Sequence, residues 1–201
     1  MQHPSGKIVM ASGNAGKLRE IARILGELGI TVVPQSEFGI SDAEETGSTF
    51  AENALLKARH AATACGLPAI ADDSGLAVDA LDGRPGVYSA RYSGPEADPE
   101  KNIDRLLAEL DGVPDEQRGA TFHCVACYVR PDLSEPLIAE GEWRGVILPE
   151  RQGDGGFGYD PVFLDPELGC SAAELGAAEK NTRSHRGLAL QELARLLREM
   201  E

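Results

Sequence analysis

Ala69-Ile70-Ala71-Asp72-Asp73-Ser74-Gly75 is the stretch around which the rest of the chain is organised. A short apolar run ends in two adjacent acids, a small hydroxyl residue and a glycine. Taken as a strand over Ala69–Ala71, it puts the acids at a carboxyl end, where open α/β sheets hold their ligands. Successive strand residues point to opposite faces, so only one of Asp72 and Asp73 is expected to face a given site. A carboxylate in that position suits a hard divalent cation such as Mg2+, which takes oxygen ligands and keeps several waters. The simpler alternative is a turn in which one acid caps the backbone with Ser74.

Bulk properties narrow the class. The 201 residues suit one domain, or one with a small lobe, and 42% hydrophobic with 26% charged residues is ordinary globular composition. The formal net charge of −14 argues against a general nucleic-acid surface, which needs a basic footprint. It leaves room for a small anion at a local basic pocket or a metal. Cys124 and Cys127 form a CxxC, but inside the run Thr121–Val129, which reads as a strand. Residues three apart on a strand face opposite ways, and no second CxxC completes a zinc set. The four cysteines are therefore expected to be core thiols of a reducing compartment. The N-terminal Met1–Lys7 lacks an apolar signal region and no run approaches the ~20 apolar residues of a membrane span, so the expected location is cytoplasmic with no membrane partner.

From the N-terminus, Lys7–Ala11 reads as a buried strand, followed by Ser12-Gly13-Asn14-Ala15-Gly16-Lys17 and a helix whose apolar face is Leu18, Ile21, Ala22, Leu25 and Leu28. Gly29 stops this helix and Ile30–Val33 resumes as a strand. A glycine-containing loop at a helix N-terminus offers backbone N–H groups and a positive dipole end to an anion. Lys17 adds a charge, although the Walker A spacing is missing and a plain turn capped by Asn14 is the alternative. Glu44 and Glu45 lie in a polar loop, where solvated acids are the default. Thr49-Phe-Ala-Glu52 reads as a capping box opening a helix with the stripe Phe50, Ala54, Ala58, Ala61, Ala62 and Cys65.

Leu76–Val78 is a short apolar run after the expected turn, and Asp82–Gly94 is a long Gly/Pro-punctuated segment suited to an interface loop. Pro99–Leu110 reads as a helix. Thr121–Val129 and Leu137–Leu148 suggest an antiparallel pair that forms a smaller lobe or extends the sheet, with His123 and Trp143 as packing residues. Gly153–Pro161 carries four glycines in six residues, with Phe157, Tyr159 and Asp160. Glycines let a ligand approach the backbone and exposed aromatic faces suit base stacking, the alternative being a tight hairpin with inward aromatics. Glu179–Gly187 gathers Lys180, Arg183, His185 and Arg186 in an otherwise acidic chain, a cluster fit for phosphate or a carbonyl-rich base, or the polar start of the last helix.

An anion loop, a strand-borne acid pair, a glycine–aromatic loop and a late basic cluster together suit a nucleoside triphosphate with Mg2+. The segments SGNAGK (Ser12–Lys17), EETGSTFAENALLKA (Glu44–Ala58), ADDSGL (Ala71–Leu76), GRPGVYSARYSG (Gly83–Gly94), GGFGYDP (Gly155–Pro161) and EKNTRSHRG (Glu179–Gly187) occur in order over nearly the whole chain. In this the sequence closely resembles the inosine triphosphate pyrophosphatase family, the XTP/dITP diphosphatases. One departure is Ser12, where the family often has Thr.

The resemblance implies a single domain over residues 1–201, an elongated α/β fold with a mixed sheet flanked by helices, and two lobes with the active-site cleft between them. It implies Mg2+-dependent hydrolysis of ITP, dITP or XTP to the monophosphate and pyrophosphate, and a homodimer. It also implies roles: Asp73 as general base and metal ligand, Glu44 as second metal ligand, and Ser12, Gly13, Asn14, Ala15, Gly16, Lys17 and Ser74 on phosphates and sugar. Phe157, Gly158, Tyr159, Asp160, Lys180, His185 and Arg186 would hold the base. The rivals are a Maf-like pyrophosphatase acting on pyrimidine or methylated nucleotides, and a regulator that binds nucleotide without hydrolysing it.

Overall fold

The computed structural model describes residues 7–132 and 135–200. The N-terminal segment considered for a signal falls mostly outside the described residues, as do positions 133 and 134 of the polar link Arg130–Glu135. Among the described residues no helix is long and apolar enough to cross a membrane.

Seven strands form one mixed sheet in the order β2-β1-β3-β4-β5-β6-β7. They are β1 (Ile8–Met10), β2 (Val32–Pro34), β3 (Ala69–Val78), β4 (Gly119–Val129), β5 (Leu137–Ile147), β6 (Phe163–Asp165) and β7 (Cys170–Ser171). The helices are α1 (Ala15–Glu27), α2 (Phe50–Cys65), α3 (Pro99–Glu109), α4 (Ala177–Arg183) and α5 (His185–Glu199). β1 runs parallel to both β2 and β3, with Met10 opposite Ile70, whereas β5–β6 and β6–β7 are antiparallel. The expected pair Thr121–Val129 and Leu137–Leu148 appears as β4 and β5, adjacent in this sheet.

The chain forms two compact units. Among the described residues, unit 1 comprises 7–73, 124–132, 135–141 and 186–200, and unit 2 comprises 74–123 and 142–185.

Unit 1 follows from strict alternation. Met10, Ile70, Cys124 and Ala126 pack with Ile21 and Leu25 of α1 and with Ala189, Leu190 and Leu193 of α5. Val9, Ala11, Ala69, Ala71, Val125 and Cys127 pack instead with α2 through Ala54, Ala58, Ala61 and Ala62. The two CxxC thiols thus fall in different clusters, as strand pleating requires. All four cysteines are free, and burial pushes the Cys124 thiol up to about 12. Helix ends match the sequence signals. Thr49 Oγ1 accepts from Glu52 N at 3.2 Å, and the Glu52 carboxylate closes back on Ser48 N at 2.7 Å, one residue before the expected position. Gly66 ends α2 in the left-handed region at φ 69°.

Unit 2 has a separate core of Leu76, Val78, Ile103, Leu106, Leu110, Phe122, Trp143, Ile147 and Phe163. Arg118 is buried there, with its guanidinium donating to the carbonyls of Leu110, Ile147 and Leu148.

One expectation is overturned. β3 does not stop at Ala71 but continues through Asp72, Asp73 and Ser74 to Val78. The acids are therefore mid-strand, Leu76–Val78 is its continuation, and no turn is capped by Ser74. A strand tolerates buried carboxylates when each has a partner on its own face, and both do.

Packing at Gly145 gives a stability test. A Cβ there would sit 2.4 Å from the Phe163 ring and 2.5 Å from the Leu164 carbonyl oxygen. Gly145→Ala is expected to lower stability by about 1–3 kcal/mol, read as a lower urea midpoint with an unchanged slope.

Candidate functional site

The first set of groups lies in unit 1. β1 is flanked by β2 on one side and β3 on the other, so the direction of winding reverses at β1 and β3. That is the switch point at which open α/β sheets open a crevice beyond their carboxyl ends. Ser12–Lys17 leaves β1 there, and Asp72 and Asp73 follow the Met10–Ile70 pairing on β3.

Asn14 caps α1, its Oδ1 accepting from Gly16 N at 2.9 Å and Lys17 N at 3.0 Å. Ser12 Oγ accepts from Asn14 N at 3.2 Å. Asn14 therefore caps the turn, and the loop leads into the N-terminus of a 13-residue helix.

The two acids part to opposite faces, as the pleat requires. Asp72, with a side chain wholly excluded from solvent, has Lys17 Nζ at 3.2 Å and Arg186 Nε at 3.2 Å from its Oδ2. Arg186 also pairs with Glu20. Burial alone would raise the Asp72 pKa, but Lys17 and Arg186 overcome it and hold the carboxyl well below the usual range. Burial likewise opposes the Arg186 charge, which Asp72 and Glu20 more than restore.

Asp73 faces α2. Its Oδ1 accepts from Lys57 Nζ at 2.9 Å and its Oδ2 from Asn53 Nδ2 at 3.3 Å. Lys57 Nζ also lies 3.0 Å from Glu45 Oε1, so one ammonium bridges two carboxylates. Burial raises the Asp73 pKa despite Lys57 and Lys17. Of the two loop acids, Glu45 is the one brought to this cluster, while Glu44 is exposed. Asn53 and Lys57 were not singled out in the sequence. Their i, i+4 spacing on the helix that leads into the acids was the available signal.

The second set lies in unit 2. Phe157 is about one-third exposed, and Lys180 Nζ sits 5.0 Å from its ring centroid. Lys180 Nζ also pairs with Asp160 Oδ2 at 2.6 Å, and Phe157 N donates to the same oxygen at 2.8 Å. Gly156 has φ 71°, and a Cβ there would meet Asp160 Oδ2 at 2.1 Å, so only glycine allows this closure. Tyr159 turns inward, is buried, and donates its hydroxyl to Ser89 O at 2.9 Å. The glycine segment thus divides its aromatics, one at the surface and one in the core. His185, also buried, stacks on Phe122 at 4.6 Å with an interplanar angle of 11°.

The sequence-predicted residues therefore fall into two groups. Ser12–Lys17, Asp73 and Glu44 belong to unit 1, as does Arg186, whose guanidinium is bonded to Asp72 and Glu20. Ser74, Phe157–Asp160, Lys180 and His185 belong to unit 2. Among the described residues no group of three or more His, Cys, Asp or Glu side chains is placed to hold a metal.

The fold and the first set define an α/β protein with a capped helix N-terminus after β1 and a mid-strand acid pair at its switch point. A model of the Ham1 family matches residues 8–196, and the chain belongs to that family. It is 58% identical to a dITP/XTP pyrophosphatase of Pectobacterium atrosepticum, over 96% of this chain and 98% of that one. It is 60% identical to a protein of the same name from Methylococcus capsulatus, over 96% of each. Among solved structures it is similar to a HAM1 protein from Coxiella burnetii, with a TM-score of 0.87 and 49% identity over 96% of this chain and 98% of that one.

Asp72 is the point at which this arrangement is most exposed to substitution. Asp72→Asn is expected to cost about 3–5 kcal/mol at pH 7, because it leaves a buried guanidinium short of a partner. The folded-state pKa of Asp72 is depressed, so its contribution is complete above the unfolded value of about 3.9 and is lost as pH falls below it. Urea unfolding at pH 7 and in acid should show the wild-type advantage shrinking toward low pH.

Proposed function

We propose that the chain hydrolyses non-standard purine nucleoside triphosphates, ITP, dITP or XTP, to the monophosphate and pyrophosphate. The observation that carries this is the separation of Asp72 and Asp73, one neutralised by Lys17 and Arg186, the other a carboxylate of raised proton affinity beside Lys57. The relatives' name, dITP/XTP pyrophosphatase, agrees with it. The chain is a hydrolase of triphosphate anhydrides, so a pure nucleotide-binding regulator is the weaker reading.

The α1 N-terminus and Lys17 take phosphate oxygens, since a helix N-terminus offers N–H groups and a positive dipole end. Asp73 accepts the proton of the water that attacks the α-phosphorus, and pyrophosphate leaves. Burial makes Asp73 a better proton acceptor than an exposed carboxylate. Lys57 orients Asp73 and keeps its charge in place. The donor set fits Mg2+, which needs only one or two carboxylates together with phosphates and waters. Asp73 would hold it, with Glu44 as the second ligand that the resemblance implies, although Glu45 is the loop acid that shares Lys57 with Asp73; it would supply charge neutralisation along the triphosphate.

The base stacks on Phe157, whose ring is exposed, and Lys180 and His185 offer donors to it. Hypoxanthine and xanthine carry a carbonyl at position 6, which accepts such a bond. Adenine carries an amino group there and would leave the donor unpaired, which is costly at a buried site.

Pyrophosphate release from ITP, dITP, XTP, ATP, GTP, dTTP and UTP, with Mg2+ and with EDTA, tests the reading. Turnover that prefers ITP and XTP over ATP by about 100-fold or more and stops in EDTA is expected. Preference for pyrimidines would move the chain to the Maf-like class. Asp73→Asn is expected to lower kcat by about 100-fold or more while nucleotide binding by calorimetry changes little. Near-normal turnover in that variant would remove Asp73 from its role.

A further inference from the structure

The base-holding role proposed for His185 depends on where its ring points, and its stack on Phe122 bears on that direction. His185 is the first residue of α5, and its terminal ring torsion is intrinsically broad. Its ring lies nearly parallel to that of Phe122, at 4.6 Å and 11°. Phe122 also packs on Phe163, at 4.5 Å and 47°, and Phe163 packs on Trp143 at 5.0 Å. Trp143 is anchored through Nε1, which donates to Asp165 Oδ2 at 3.0 Å. All five residues belong to unit 2.

We propose that Phe122 is a positioning residue for base selection: its ring sets the plane of the His185 imidazole and so aims its nitrogen at the purine. A stacked ring has a preferred offset, parallel arrangement, and an aliphatic side chain of similar size imposes none. Without the stack the imidazole loses the contact that favours this plane, and the hydrogen bond to the base is weakened. Phe122 acts through His185 and touches no substrate atom in this account. The inference rests on the assignment of His185 to the base given above.

The test compares wild type, Phe122→Leu, His185→Gln and the double variant by kcat/KM for ITP and for ATP. NMR of the His185 ring protons is recorded alongside, since these lie over the Phe122 ring and are shifted upfield by it. Phe122→Leu is expected to lose about tenfold or more of the ITP-over-ATP preference, because small misplacements at a site are expensive. Its His185 resonances should move downfield, and the double variant should be no less selective than His185→Gln alone. Phe122→Tyr, which keeps the ring, should retain the preference, and Phe122→Met replaces the Leu variant if the latter unfolds.

If His185→Gln leaves the ITP-to-ATP ratio unchanged, the base-holding assignment of His185 fails, and this inference with it. If His185→Gln lowers the ratio but Phe122→Leu does not, the assignment stands and the positioning role is overturned. Equal losses on both substrates, or effects that add in the double variant, reduce Phe122 to a packing residue and also overturn it.

Discussion

Asp72 is a carboxylate with no solvent access, held ionised by Lys17 and Arg186. Much of unit 1 depends on that contact. It ties the start of α1, through Lys17, to β3, and it ties the start of α5, through Arg186, to the same atom. Arg186 reaches on to Glu20, one turn along α1 from Lys17, so three segments separated widely in sequence meet at one buried charge network. A network of this kind is weak evidence for extra stability, because desolvation offsets most of the Coulomb gain. Its consequence is geometric. Each partner is costly to leave unpaired, so the strand and the two helices have one low-energy arrangement.

The pleat of β3 then assigns different chemistry to chain neighbours. Asp72 faces two cations that compensate its charge, and Asp73 faces Lys57 and Asn53, where burial still dominates and raises its proton affinity. No difference in residue type is involved. Identical side chains one residue apart acquire opposite pKa shifts because a strand presents them to two differently charged surfaces.

Much of this was legible in the sequence, for definite reasons. The apolar run Lys7–Ala11 and the strand expected over Thr121–Val129 are buried on both faces, in two clusters, and the alanine stripe of α2 packs as its period requires. The splitting of the Asp pair followed from the same periodicity. The length of β3 was not legible. Two adjacent acids resemble the end of a strand until their cations are known, and those cations come from positions 17, 57 and 186. Local patterning cannot report them. Arg186 was grouped with Lys180 and His185 because they are close in sequence, yet its guanidinium lies with Asp72 and Glu20. The unit boundary falls between His185 and Arg186, and chain proximity could not report the partners of that guanidinium.

Lys57 is the clearest case of a buried contact to the acid pair hidden by a strong pattern. Helix α2 was read for its apolar stripe, and polar residues off that stripe default to solvent. Asn53 and Lys57 break the default because the alanine face is thin. Small residues let the helix axis approach β3 closely, and the neighbouring polar positions are carried inward with it. Asn53 is fully buried as a result, and the Lys57 ammonium lands between Glu45 and Asp73. The choice of alanine for packing and the delivery of a cation to the acid are thus one physical decision. Larger residues on that face would move the ammonium away from Asp73 even with Lys57 unchanged, so a residue's role at this site is set partly by the size of its neighbours.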